Sequence, residues 1–357
     1  MKKKRILMLA SWQFGYSTTT FKHCEFALDE FDFTYMCWDY ELPKIELSNV
    51  DIKYVSRKGN LIFRNIRFLN TINGEIGKDY DLIFANYFRG VSLIRLLNYK
   101  SKFVLYVNTL AVGKNRIKRL FYNLTLRFEL SFFRNLALIS RGIGKKLRID
   151  NFHILPLGGE CFSDDSKSFE RLSLLYVGTL GNRNILDCVK GFHNYIEICK
   201  KTEMEISARF TIVGDSPYHE LEEIRAYIQR NNLEVYIHTK GYVHRNDLKP
   251  FFEKCNIGVS YIPIRSYYQY QPPTKTYEYL ISGMPTIATG TYENKALVGP
   301  GAGVVIDDTP ESFQKGILKL TQQKFDSEAI RKEYSQHTWE KVVQNHFIPL
   351  IKKHIRQ

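Results

Sequence analysis

Short apolar runs recur along this chain, spaced so that a helix fits between most neighbours. They fall at residues 5–10, 81–85, 102–107 and 136–139 in the first half, and at 172–177, 210–213, 257–261 and 302–306 in the second. Most lack the apolar–polar alternation of a strand with one wet face. A strand that is apolar on both faces must be covered on both, as happens in a parallel sheet wrapped by helices. Two further runs, 33–37 and 52–55, alternate more clearly, and residues 61–76 and 218–230 carry helical patterns. Strand–helix alternation in both halves predicts an α/β fold with doubly wound sheets.

At 357 residues the chain is long enough for two cores, and 44% hydrophobic with 25% charged residues excludes a disordered polymer. The expected division is 1–165, 166–335, and a C-terminal helical segment 336–357 that packs back on the first domain. Gly158-Gly159 and Ser163-Asp-Asp-Ser166 suit the hinge and linker. Six scattered cysteines without a CxxC pair read as free thiols in a reducing compartment. The apolar run after Arg5 is too short for a signal peptide, and no stretch reaches a membrane span. The expectation is therefore a cytoplasmic protein.

The stretch Tyr270-Gln-Pro-Pro-Thr-Lys-Thr-Tyr-Glu278-Tyr-Leu-Ile-Ser-Gly-Met-Pro285 is the richest in signals. Pro272 and Pro273 break the chain, Thr274 suits a helix cap, and Gly283 with Pro285 ends the helix before a buried strand at 286–288. The first turn of such a helix favours an anion, and Lys275 adds a formal charge there. Glu278 stands one turn beyond Thr274, and a carboxylate can accept both hydroxyls of a ribose diol. The alternative is structural, since a glutamate early in a helix also complements the dipole.

Pro-x-Lys-x-x-Glu-Tyr-Leu-x-x-Gly-x-Pro resembles the donor-site helix of glycosyltransferase family 4, a retaining family with the two-Rossmann GT-B fold. Leu174-Leu-Tyr-Val-Gly-Thr179, Phe210-Thr-Ile-Val-Gly-Asp-Ser-Pro217, Gly241-Tyr-Val243 and Ala302-Gly-Val-Val305 extend the resemblance in order. It implies two Rossmann-like domains facing across a cleft and a nucleoside-diphosphate sugar as co-substrate, with no other cofactor and no metal. It also implies roles. Gly178 and Thr179 meet the diphosphate, and Arg183, with Lys190 as the fallback, supplies the basic side chain. Lys275 and Glu278 complete the catalytic set. Backbone atoms at Tyr242 and Val243 hold the base, and Thr274 and Thr276 lie at the donor helix. Gly15 follows the first strand where the family usually has two glycines. Asn108-Thr109 stands where members often carry a histidine. Tyr270 occupies the place of the first of two family glutamates, so that carboxylate is missing. Asp307-Asp308 reads as a cap for the next helix.

The net charge of +14 is concentrated. From Arg95 to Arg148 there are thirteen Lys or Arg and one acid, Glu129. Within it Ile117, Phe121, Leu124, Phe128 and Phe132 form a helical stripe with Lys118, Arg119, Arg127 and Arg134 around it. Such a helix suits an anionic membrane surface; the alternative is that its stripe packs on the protein's own sheet. No recognised nucleic-acid motif accompanies the charge, which points away from nucleic acid. The function expected is a retaining hexosyltransferase at the cytoplasmic face of the plasma membrane, with a glycan or lipid-linked acceptor. An epimerase or phosphorylase on the same fold, or a non-catalytic adaptor, are the alternatives.

Overall fold

The structure, a computed structural model, describes residues 2–356. The chain divides into two compact units, Met1–Gly158 with Trp339–Gln357, and Gly159–Thr338. The first crossing thus precedes the boundary expected at residue 165. Residues 159–165 go with the second unit because they pack there. Phe162 clusters with Phe252, Tyr279 and Met284, and its N–H donates to Ser282 Oγ at 3.1 Å.

The first unit runs β1 (Lys4–Leu9), α1 (Thr18–Glu25), β2 (Phe31–Asp39), β3 (Val50–Ser56), α2 (Leu61–Ile76), β4 (Leu82–Asn86), α3 (Val91–Leu97), β5 (Phe103–Val107), α4 (Arg116–Leu130), β6 (Leu136–Leu138), α5 (Arg141–Leu147) and β7 (His153–Ile154). Its sheet is parallel, in the order β3-β2-β1-β4-β5-β6-β7. Helix α1 ends at Glu25, because Phe31 is buried and pairs with Lys4 at the start of β2. Helices α3 and α5 carry no strong sequence signal. The start of α3 is capped from a distance: Gly90 N–H donates to Glu129 Oε1 at 3.0 Å and Ser92 N–H to Oε2 at 3.3 Å.

Helix α4 settles which way its stripe faces. Ile117, Phe121, Leu124 and Phe128 are 79%, 65%, 56% and 65% exposed, while Leu126, Glu129 and Leu130 are buried. The stripe therefore does not pack on the sheet, contrary to that alternative, because the sheet-facing side of the helix is the narrower one around Leu126 and Leu130.

The second unit runs β8 (Leu172–Val177), α6 (Ile185–Lys201), β9 (Ala208–Val213), α7 (Glu220–Arg230), β10 (Ile237–Thr239), α8 (Lys249–Lys254), β11 (Ile257–Ser260), α9 (Thr274–Ile281), β12 (Thr286–Thr289), α10 (Tyr292–Leu297), β13 (Gly303–Ile306), α11 (Pro310–Thr321) and α12 (Ser327–Tyr334). Its parallel sheet has the order β10-β9-β8-β11-β12-β13. The strand order reverses between β8 and β11. Open sheets of this kind bind ligands beyond the carboxyl ends of the strands at that reversal.

After α12 the chain returns to the first unit as α13 (Trp339–Val342), a π-helical turn over Val343–Phe347, and α14 (Ile348–Arg356). Phe347 stacks on His23 of α1 at 4.5 Å, and Phe84 and Tyr106 close around the imidazole. Burial lowers the His23 pKa to about 3, so the ring enters this aromatic core uncharged.

Candidate functional site

Helix α9 sits over the strand reversal of the second unit, and side chains fix it there. Tyr279 Oη accepts from Val177 N–H at 2.8 Å, at the end of β8. Thr276 Oγ1 lies 2.6 Å from Ser260 Oγ, at the end of β11, and donates to Asn294 Oδ1 at 3.1 Å. The helix begins at Thr274, and Pro273 rather than Thr274 occupies the cap position, without a side-chain cap bond. Proline fixes the entry geometry and has no N–H to leave unpaired.

Glu278 is fully buried on α9, yet it faces cations rather than a hydrocarbon core. Arg245 Nη2 donates to Oε1 at 2.8 Å, and Lys275 Nζ lies 2.6 Å from Oε2. Both carboxylate oxygens thus face a cation at close range, which compensates the burial of the charge. Arg245 also donates from Nε to Glu160 Oε2 at 2.8 Å, and both Arg245 and Lys275 stand over the Phe162 ring. Burial pulls the Arg245 pKa down, but Glu278 and Glu160 outweigh it and hold the guanidinium above its ordinary value.

Arg245 and Glu160 were not among the expected site residues. Arg245 follows Gly241-Tyr-Val-His, where the resemblance points only to backbone contacts, and Glu160 lies in the presumed linker. Their pairing spans distant parts of the chain, which no local pattern encodes.

Arg183 has a different neighbourhood. Its guanidinium lies 4.6 Å from the centre of the Tyr268 ring, in the loop that leads to α9. Thr179 is exposed on the β8–α6 loop, and its carbonyl accepts from Tyr176 Oη at 2.6 Å. Tyr242 is exposed, whereas Val243 is half-buried against the second unit's core. Tyr270 is half-buried beside Tyr292, with ring centres 5.3 Å apart. Thr276 is fully buried, and its hydroxyl is engaged with Ser260 and Asn294, which seats α9.

In the first unit, Asn108 is half-buried just beyond β5. Gly15 has φ +86°, and a Cβ there would meet Ile45 Cδ1 at 2.4 Å, so packing within the unit already requires the glycine. Asp307-Asp308 does not supply the cap of α11. Thr309 Oγ1 accepts from Ser312 N–H, and Asp308 accepts from Ile264 N–H. Among the described residues no cluster of three or more His, Cys, Asp or Glu is arranged to hold a metal. A cavity of about 260 Å³ lies between Arg171 and Arg209 at the opposite, amino ends of β8 and β9. It is remote from the chemistry of α9 in the sheet and is not part of this site.

The loops after β8, β9 and β10 are locked by backbone contact. Gly178 N–H donates to Val213 O, and Gly214 N–H donates to Gly241 O at 2.8 Å. A Cβ on Gly214 would lie 1.8 Å from Gly178 O, which no side-chain motion can relieve. Gly214→Ala should therefore cost at least about 4 kcal/mol of stability and displace the Gly178–Arg183 loop. Chemical denaturation of the purified variant checks this; a cost below about 1 kcal/mol would show that the loops are free to separate.

Residues 171–323 match the family model Glyco_trans_1_4, described as "Glycosyl transferases group 1". No curated protein sequence matches the chain. Solved structures match across both units. Sucrose-phosphate synthase from Thermosynechococcus elongatus is 15% identical with a TM-score of 0.69, covering 98% of this chain and 97% of that one. The lipopolysaccharide outer core galactosyltransferase WaaB, in its apo form, is 12% identical with a TM-score of 0.71 over 98% and 99% of the two chains. Anabaena HepE, in complex with UDP and glucose, is 11% identical with a TM-score of 0.68 over 98% and 100%. Both α/β units thus share the fold of GT-B glycosyltransferases, and residues 171–323 carry the sequence match of a group 1 glycosyl transferase domain.

Proposed function

We propose that this protein is a retaining hexosyltransferase that moves a hexose from a nucleoside diphosphate onto a hydroxyl of a lipid-linked or growing surface polysaccharide, without a metal. One observation carries the reading: beyond the strand reversal Glu278 stands between Arg245 and Lys275, a carboxylate whose remaining lone pairs suit a ribose diol beside two cations that suit a diphosphate. The acceptor oxygen bonds the anomeric carbon on the face from which the diphosphate leaves. The carbon–phosphate oxygen bond breaks, and the acceptor proton passes to the departing phosphate. Arg183, Lys275 and the N-terminal turn of α9 balance the charge that builds on the leaving group. The bound UDP and glucose in the HepE structure make UDP-glucose a sensible first donor to try.

We place the protein at the cytoplasmic face of the membrane by its first unit. Leu61, Ile62 and Phe63 of α2 and Leu93, Leu96 and Leu97 of α3 are exposed, as is the α4 stripe, and these helices pack side by side in chain order. Lys118, Arg119 and Arg127 add a basic flank. An apolar surface this extensive with a cationic border suits an anionic bilayer. No helix is long and apolar enough to cross a membrane among the described residues.

The test screens UDP- and GDP-sugars by thermal shift, then follows the labelled sugar of the best donor. Label in a glycan with the donor's anomeric configuration supports transfer, and free epimerised sugar nucleotide overturns it. Arg183→Ala should lower turnover on the order of 100-fold while donor binding changes less than about threefold, because the leaving-group charge exists only as the bond breaks. Equal losses in both would reduce Arg183 to a positioning role.

A further inference from the structure

The first unit has its own group of side chains beyond the carboxyl ends of its strands, and nothing above uses it. Trp12 follows β1, Tyr40 follows β2 and Arg57 follows β3. The Trp12 and Tyr40 rings are stacked, 5.3 Å between centres and 12° from parallel. The Arg57 guanidinium lies 4.0 Å from the centre of the Tyr40 ring. Trp12 nevertheless remains 54% exposed.

The stack is held rigidly from beneath. Gln13 is fully buried, and its Nε2 donates to Leu42 O at 2.8 Å while its Oε1 accepts from Tyr40 N–H at 2.8 Å. Tyr16 Oη donates to Pro43 O at 3.0 Å, and Ile45 fills the space beside Gly15. The loops after β1 and β2 are thereby one body, so Trp12 is ordered before any ligand arrives. An indole presented this way without burial loses little freedom on binding.

Tyr40 is bracketed by Asp39 and Glu41, and Asp39 Oδ1 accepts from Glu41 N–H at 2.8 Å. Asp39 and Glu41 have Lys44 and Lys58 as their cations, at 3.8 Å and 3.5 Å. A flat, apolar indole with paired carboxylates and cations nearby matches a neutral ring with one C–H face and a rim of hydroxyls. It matches a nucleic acid or an anionic headgroup less well, since Lys44 and Lys58 are already paired with Asp39 and Glu41. Beyond the β1 end the strand order also reverses, toward β4, which is where such sheets take ligands.

We infer that the exposed face of Trp12, backed by Tyr40 and Arg57, is a carbohydrate-binding platform that stacks a hexopyranose ring of the acceptor glycan. The acceptor role rests on the transferase reading; the binding of a glycan does not.

The chain contains three tryptophans, and Trp38 and Trp339 are buried, so a fluorescence change on an exposed indole reports Trp12. The full chain is applied to an array of immobilised hexopyranose oligosaccharides, alongside Trp12→Ala and Trp12→Phe. The glycans retained by the native chain are then titrated against indole emission, with UDP as a separate titrant. Retention should fall at least tenfold in Trp12→Ala and less in Trp12→Phe, with melting temperature and the UDP-induced thermal shift unchanged. The retained glycan should shift the emission to the blue, and UDP should not. Retention of no glycan by the native chain, equal retention by Trp12→Ala, or an indole response to UDP alone each overturns the platform. Glycan binding through Trp12 without any nucleotide-sugar binding elsewhere would leave the platform standing and remove the transferase reading instead.

Discussion

Glu278→Ala is expected to damage both stability and donor binding, and the two effects can be separated. Glu278 is the shared anion of Arg245 and Lys275, and it is fully buried. Removing one partner of a buried ionic group leaves the others uncompensated, at a cost of roughly 3–5 kcal/mol. Arg245 and Lys275 keep some access to water, with 35% and 25% of their side-chain surfaces exposed, so a value near the lower end is expected. At about 3 kcal/mol the melting transition falls by roughly 6–12 °C for a unit of this size. Glu278→Gln keeps an acceptor oxygen and the shape, and should cost less. Donor affinity should drop by on the order of 2 kcal/mol in either variant, since the charge-assisted bonds to the ribose hydroxyls are weakened or lost. Titration of UDP by calorimetry, at a temperature where the variant remains folded, reads this second effect. An unchanged affinity there would assign Glu278 to holding the Arg245–Glu160 network together and nothing more.

Replacing Ile117, Phe121, Leu124 and Phe128 together by serine should have the opposite profile. These side chains are already in water, so their loss removes little folding energy, and the melting temperature should stay within a few degrees. Binding to vesicles that contain phosphatidylglycerol should fall on the order of 1000-fold. Four apolar side chains at about 1 kcal/mol each, for partial insertion, amount to about 4 kcal/mol. Reversing Lys118 and Arg119 to Glu should weaken binding as well, but that loss should fade at high salt, where surface charge is screened. Transfer to a soluble acceptor should survive in both variants. Vesicle binding equal to that of the native chain would rule out α4 as the attachment surface. A steep drop in melting temperature would mean the stripe is packed against protein.

The same helix shows where local reading ends. The helical spacing of Ile117, Phe121, Leu124 and Phe128 was plain in the sequence, and Asn115 caps the helix through Lys118 N–H as its side chain suits it to do. Whether that stripe faced a sheet or solvent was not legible. Its direction depends on Leu126, Leu130 and the remote capping of α3 by Glu129. Helix α9 divides in the same way. Pro273 and Gly283 set its ends by backbone chemistry alone, within a residue of expectation. Thr276 and Glu278 share that helix, and only the fold shows that the Thr276 hydroxyl is engaged with Ser260 and Asn294.

By itself the sequence determined the two parallel sheets and the limits of α2, α7 and α9 to within a residue or two. Those follow from periodicity, capping and proline or glycine geometry, which act over a few residues. Only the tertiary structure decided that Arg245 and Glu160 join Glu278, that the α4 stripe is bare, and that Trp12 lies on Tyr40. Each is a meeting of residues distant along the chain, and the energy that chooses among such meetings is released only when whole elements pack.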